Sequence, residues 1–255
     1  MKEIKGFTLL EIIIVLAVMA ILAGIAVPYA YRQIASSRQQ ATREEMANLK
    51  RALIGDKRRI QNGMRSDFGY SGDWGNLPER LDALVKTQSP RWHYDKKRKI
   101  GAGWNGPYIS ETFSGAKEDY GLDAWQNAYI YSSRVYTHKD GELVDGKIMS
   151  RGPDGKEGGG DDLVLEILRR ETHSMVFGYV KHKDGEYMPH ILVTIYFPRY
   201  GKLMEDTCKT DMNGYFEFNA IPFGLRSITA KGGGFRTISI ESPSMQVPDI
   251  YVTGR

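Results

Sequence analysis

Ile12 to Tyr31 reads IIIVLAVMAILAGIAVPYAY, twenty positions without a charge, and no other feature constrains the fold of this chain as strongly. A helix needs about 20 apolar residues to cross the hydrocarbon of a bilayer. No other stretch of the 255 residues reaches that grade, and the remainder is polar enough to bring the mean hydropathy to −0.42. Gly24 and Pro28 fall late in the run, where a helix can loosen or kink. A cleaved secretory signal is one reading, with Gly24 and Ala26 as the small residues before the cut. The residues just ahead of the run, Lys5-Gly6-Phe7-Thr8-Leu9-Leu10-Glu11, argue against it. A charge at the centre of a membrane helix costs about 2.5–3.5 kcal/mol, and less near the interface. Glu11 at the front of the apolar run therefore asks for a partner or a function.

Composition narrows the field. The one cysteine, Cys208, excludes an internal disulfide framework and any multi-cysteine metal site. A net charge of +4 is too small to point to nucleic acid, but the charge is unevenly spread. Residues 31–100 carry sixteen basic and eight acidic side chains, whereas residues 101–170 carry eight and twelve. No nucleophile elbow, phosphate-binding loop, dinucleotide fingerprint or H-x-x-E zinc pair is present, so no enzymatic chemistry is expected. His182 and His190 read as surface or strand-end residues, and Cys208 as a packed strand residue.

Beyond the apolar run, Ile34, Ala41, Met46, Leu49, Leu53, Ile54 and Ile60 recur mostly every three to five residues among Arg and Glu. That is the stripe of an amphipathic helix lying on a folded domain. Residues 7–60 then form either one helix roughly 80 Å long or two helices broken near Pro28. Gly, Asp and Asn punctuate residues 61–170, which predicts short strands and long loops. Leu77–Lys86 has helical apolar spacing, and Ala128–Ser132 and Asp162–Leu168 read as strands. From residue 171 the pattern becomes β alternation broken by turns such as Asp184-Gly185 and Asn213-Gly214. Seven short strands in about eighty residues predict a small β-sandwich. The fold class is α+β: a long N-terminal helix, transmembrane then amphipathic, on a small globular domain, followed by an all-β sandwich domain.

The Lys-Gly-Phe-Thr-Leu-Leu-Glu leader and its apolar helix resemble the type IV pilin and pseudopilin superfamily. The resemblance implies cleavage by a prepilin peptidase between Gly6 and Phe7 and methylation of the new terminus at Phe7. Glu11 becomes the fifth mature residue, and Pro28 matches the family's proline at the twenty-second. Physically, the new amine at Phe7 can pair with Glu11 of a neighbour or of the same chain, and a lone buried charge is costly while a paired one sets register. Three further stretches resemble the major pseudopilin of type II secretion systems. They are Gly103-Trp104-Asn105-Gly106-Pro107-Tyr108, Asp123-Ala124-Trp125-Gln126-Asn127-Ala128-Tyr129-Ile130-Tyr131, and Ser150-Arg151-Gly152-Pro153-Asp154-Gly155-Lys156-Glu157-Gly158-Gly159-Gly160-Asp161-Asp162. Ala124 and Gln126 stand where that family usually has Pro and Gly, which puts the local turn in question.

The last stretch is a glycine-rich loop with three carboxylates, the hard oxygen chemistry Ca²⁺ wants. Its spacing is not that of an EF-hand, and composition alone leaves a calcium site and a solvated acidic turn both open. The resemblance implies a structural Ca²⁺ held by Asp154, Asp161 and Asp162, with the Arg151 carbonyl and Ser150 as further ligands. Thr210-Asp211-Met212-Asn213-Gly214-Tyr215-Phe216-Glu217-Phe218, Ile221-Pro222-Phe223-Gly224 and Val176–Val180 resemble the carboxypeptidase regulatory-like (transthyretin-like) module, a passenger rather than a peptidase.

Together these resemblances divide the chain into a leader (1–6), a helix (7–60), a pseudopilin domain (61–170) and a β module (171–255). They imply a single-pass protein of the bacterial inner membrane with its C-terminal domains in the periplasm. It would self-assemble into a type II secretion pseudopilus with other pseudopilins and inner-membrane secretion components, supporting protein transport. A type IV pilus subunit, major or minor, and a membrane-anchored binding module acting through the β domain are the alternatives. Charge counting around the apolar run does not settle its orientation.

Overall fold

The computed structural model describes residues 8–109 and 119–253. Helix α1, Leu9–Ile54, has 46 residues and spans about 70 Å. It runs without interruption through Pro28. It stops at Gly55, whose φ of 81° lies in the left-handed region and whose Cα presses on the backbone of Asp67 and Phe68. The expected continuation to residue 60 therefore fails at this glycine. Ile60 is exposed in a two-residue strand, β1 (Ile60–Gln61), paired with β2 (Met64–Arg65). The helix has two faces of different length. Its apolar side chains from Leu9 through Ile34 are exposed all round, Ile34 included, whereas Thr42, Met46, Leu49 and Leu53 form a buried stripe at three- to four-residue spacing.

That stripe packs on a small α+β unit. Helix α2 (Gly69–Trp74) and a hairpin of β3 (His93–Asp95) and β4 (Ile100–Ala102) precede a sheet of β5 (Ile130–Ser132), β6 (Tyr136–Thr137), β7 (Leu143–Ser150) and β8 (Leu163–Leu168). Strand β7 is central, with β8 along one edge and β5 and β6 sharing the other, all antiparallel. Leu49, Leu53, Leu84, Ile148 and Ile167 make the core. The helix expected over Leu77–Lys86 is reduced to a 3₁₀ turn at Leu81–Leu84. The carbonyls it would need are used elsewhere: Ala83 accepts from Trp104 Nε1 at 2.7 Å and Leu84 from the Tyr108 N–H at 2.8 Å.

The remaining strands are β9 (His173–His182), β10 (Leu192–Arg199), β11 (Lys202–Lys209), β12 (Tyr215–Pro222), β13 (Gly224–Ala230), β14 (Arg236–Ile240), β15 (Ser244–Gln246) and β16 (Ile250–Val252). One sheet has the order β11-β10-β13-β14 and the other β12-β9-β15, with β16 also pairing β9. Both β15 and β16 run parallel to β9. Alternation buries Val176, Gly178 and Val180 on β9, and Phe216, Ile195, Ile228 and Ile240 close the core from the other strands.

The two units are welded. Phe68, from the loop before α2, is buried in the sandwich core beside Val176, Phe223 and Ile240 rather than in its own unit's core. Arg65 stacks on its ring at 4.5 Å and donates to the carbonyls of Ile54 and Asp67, tying the end of α1 to the same point. In return Arg226 of β13, 1% exposed, sends Nη1 to the Gly72 carbonyl of α2 at 3.0 Å and its other nitrogens to the carbonyls of Pro222 and Phe223. Along the chain, buried Asp145 on β7 accepts from Arg169 and Thr172 and pairs with His173 at the start of β9. Burial pushes the Asp145 carboxyl up, but its partners His173 and Thr172 outweigh burial and hold it below the usual range. Replacing Phe68 with Ala should cost about 3–5 kcal/mol, the usual loss for a buried aromatic ring. Denaturant unfolding of the full chain in detergent checks this, and a loss under about 1 kcal/mol would mean the sandwich core is complete without the ring.

Candidate functional site

Thr8 caps α1 and Glu11 completes a capping box. Glu11 Oε2 accepts from the Thr8 N–H at 2.8 Å and from Thr8 Oγ1 at 2.9 Å, while the Glu11 N–H donates to Thr8 Oγ1 at 3.2 Å. The carboxylate thus sits at the positive end of the helix dipole. Gly6 and Phe7 lie outside the described residues. Behind Glu11, eleven large apolar side chains of α1 are over half exposed. An apolar surface of this extent has to be covered by lipid or by other helices.

The acidic loop joins β7 to β8 and is held from outside its own sequence. Asp123, 1% exposed, accepts Ser150 Oγ on Oδ2 and the backbone N–H groups of Trp125 (2.9 Å) and Asn127 (2.8 Å) on Oδ1. Asn127 Nδ2 then donates to the Gly152 carbonyl at 2.8 Å. The turn that Ala124 and Gln126 put in question is formed. Gln126 adopts a φ of 71°, the left-handed conformation that glycine takes without cost, and its N–H closes on the Asp123 carbonyl at 2.8 Å. Sequence reading assigned no role to Asp123 or Asn127, although both lie in a stretch singled out for its resemblance.

Within the loop the Asp154 N–H donates to Asp161 Oδ2 at 3.3 Å, and Asp154 Oδ1 accepts from the Lys156 N–H at 2.8 Å. Asp154 Oδ2 and Asp161 Oδ1 both border the Cα of Gly159, where a side chain would displace them. Asp162 Oδ2 accepts from the Gly158 N–H at 2.8 Å, while its Oδ1 is buried with no hydrogen-bond partner. Oxygen-only donors, one of them an orphaned buried carboxylate oxygen, suit a hard divalent cation. The three aspartates are not drawn into one closed ligand set, and among the described residues no three His, Cys, Asp or Glu side chains are. Ser150 is engaged with Asp123, and the Arg151 guanidinium has a buried Nε without a partner.

A cleft of about 900 Å³ opens where the two units meet. Asp73, Asn105 and Tyr108 form its floor: Tyr108 Oη donates to Asp73 Oδ2 at 3.1 Å and accepts from the Asn105 N–H at 2.9 Å. Burial pushes the Asp73 carboxyl up to about 6, against the pull of the Tyr108 and Asn105 hydrogen bonds and of the Arg226 charge. The folded state therefore holds an extra proton between roughly pH 4 and 6, and this site's contribution to stability falls as pH rises through that window. Subtracting the pH–stability curve of Asp73→Asn from that of the natural chain should leave a difference that declines from pH about 4 to 6 and is flat above.

Residues 1–27 match the family model described as the prokaryotic N-terminal methylation motif. The chain thus carries the N-terminal signature of type IV pilin-like proteins, which supports a subunit of pilus or pseudopilus type. No curated protein matches the sequence. Similar solved structures include the major pilin subunit of Bacillus cereus, 12% identical, with 48% of this chain and 42% of that one covered and a TM-score of 0.29. The shaft pilin of Lactobacillus rhamnosus GG is 10% identical over 48% of this chain and 68% of its own, with a TM-score of 0.24. A Pseudomonas aeruginosa protein described as a candidate carbohydrate binder is 14% identical over 33% of this chain and 90% of its own, with a TM-score of 0.23. At such scores these likenesses decide nothing about this chain.

Proposed function

We propose that this chain is a structural subunit of a type II secretion pseudopilus, acting by assembly rather than by catalysis. The observation that carries the reading is the union of a methylation-motif leader with one continuous helix whose front half is bare apolar surface and whose back half is sewn into a folded head. The helix inserts in the inner membrane with the head in the periplasm, prepilin peptidase cuts after Gly6, and Phe7 is methylated. Glu11 then exchanges its Thr8 capping bonds for the amine of a neighbouring Phe7, and the bare helices bundle. Leaving that carboxylate unpaired inside a bundle costs about 3–5 kcal/mol, so the pairing selects one register. Residues 171–255 act as a carboxypeptidase regulatory-like module that decorates the fibre.

Intact mass of the membrane-extracted protein should show residues 1–6 missing and one methyl group added. Glu11→Ala should still be cut but should not enter filaments. A chain retaining its leader, or Glu11→Ala polymerising normally, would sink the reading, and recovery of the protein in sheared surface fibres would favour a pilus subunit instead.

We further propose that Asp154, Asp161 and Asp162 hold a structural Ca²⁺, with the Arg151 carbonyl alongside. A bound cation would neutralise the crowded carboxylates and satisfy the orphaned Asp162 oxygen. Ser150, Asp123 and Asn127 act one step back, holding the loop base in place. By ligand linkage the melting temperature should rise with millimolar Ca²⁺ and drop with chelator. Asp161→Ala should lose that response, and an unresponsive natural chain would remove the site.

A further inference from the structure

The cleft between the two units is shaped for a ligand that assembly does not use. Trp92 and Tyr94 of the β3–β4 hairpin stack on one wall with ring centres 6.2 Å apart and planes 24° apart, and they stay 40% and 43% exposed. The Trp92 ring lies against Gly101 so closely that any side chain there would enter it, which fixes the ring as a platform. The floor of Asp73, Asn105 and Tyr108 offers a carboxylate, an amide and a phenol. Lys99 lines the cleft, as does Arg59, which faces Asp67 at 3.9 Å. Lys57, Lys96 and Lys97, next in sequence to lining residues or close to them, are exposed. Asp56 is taken by Arg58 at 2.9 Å and Asp95 by Arg98 at 2.8 Å. Among the described residues no carboxylate pairs with Lys57, Lys96, Lys97 or Lys99.

We propose that this cleft binds an anionic saccharide chain, with one sugar ring on Trp92, its hydroxyls on Asp73 and Asn105, and its acid groups at Lys99. Aromatic faces receive the apolar C–H side of a ring while leaving polar groups at the edge free to hydrogen-bond. Unpaired cations at the rim complement acid groups and speed their approach. A carboxylate and an amide on the floor can hydrogen-bond the vicinal hydroxyls of a sugar ring, which a deoxynucleotide lacks, and this favours a glycan over DNA. Both units line the cleft, since Leu225, Arg226 and Thr237 complete it from the sandwich side. The proposal stands whichever kind of fibre the helix builds.

The full-length protein in detergent is titrated calorimetrically with hexagalacturonate, with cellohexaose as a neutral chain of the same length, and with a short single-stranded oligodeoxynucleotide. Hexagalacturonate should bind at least about tenfold more tightly than either, and added salt should weaken it. Trp92→Ala and Lys99→Glu should each weaken binding about tenfold or more with the melting temperature unchanged. Should Trp92→Ala fail to fold, Lys99→Glu decides, because that side chain is exposed. No binding, equal binding of cellohexaose, tighter binding of the oligonucleotide, or full affinity in Lys99→Glu would each overturn the proposal.

Discussion

Helix α1 has to satisfy two solvents at once, and the other features of the molecule follow from how it does so. Over its first half no described residue covers it, while over its second half Met46, Leu49 and Leu53 are fully packed. A stripe of that kind is what a soluble unit needs from a helix, and a bare cylinder is what lipid or a helix bundle needs. The two demands are compatible only because the rod is unbroken at Pro28. A proline in a helix removes one hydrogen bond and crowds the preceding turn. A neighbouring membrane helix or a slight bend can absorb that loss where a water-exposed helix would not.

Glu11 makes the same point at the scale of one side chain. In the isolated chain its carboxylate accepts two hydrogen bonds from Thr8 and is not an orphan. A charged group that is locally satisfied can wait in the interface without unfolding the helix end. Exchange for a charged amine, as proposed, would replace bonds from neutral donors with an ion pair. The capping box is thus a resting state compatible with the proposed assembly role.

How much of this was legible depended on how local the signal was. Strands β9 to β14 and β16 were readable because short runs rich in β-branched and aromatic residues lie between Gly, Asn and Asp turns, and β9 also alternates strictly in burial. Strand β15 was not: Ser244–Gln246 is three residues long, lies between Pro243 and Pro248, and is extended only because it pairs with β9. Strand β7 was hidden by Asp145-Gly146-Lys147, which interrupts its apolar run. The structure buries Asp145 in a hydrogen-bonded cluster and packs Gly146 under Leu77. Helix α2 contains Gly69 and Gly72 and reads as loop; Gly72 is required because the Phe68 side chain occupies the space of a Cβ. At the acidic loop the three aspartates were visible in sequence, but the residue that anchors them, Asp123, lies twenty-seven positions before Ser150 and is joined to it only by the fold. The weld between the units was invisible for the same reason, since Phe68 and Arg226 look like ordinary loop and strand residues until their partners are known.

That weld changes what a C-terminal addition means. A module on a flexible tether samples many positions, and its binding site gains nothing from the order of a fibre. Here Lys50 of α1 reaches Glu171 at 2.7 Å and the Glu166 carbonyl at 2.9 Å, which ties the helix to the segment where the chain passes from one unit to the other. Arg65, Phe68 and Arg226 make a second tie, between the end of α1, α2 and the sandwich. Two separated ties remove the hinge that one alone would leave. Any register imposed on the helices at Glu11 is therefore transmitted through a rigid body to the cleft and the outer strands. Helical packing would place each cleft at the same radius and angle in every subunit, so weak sites could engage one long chain together and multiply their affinities.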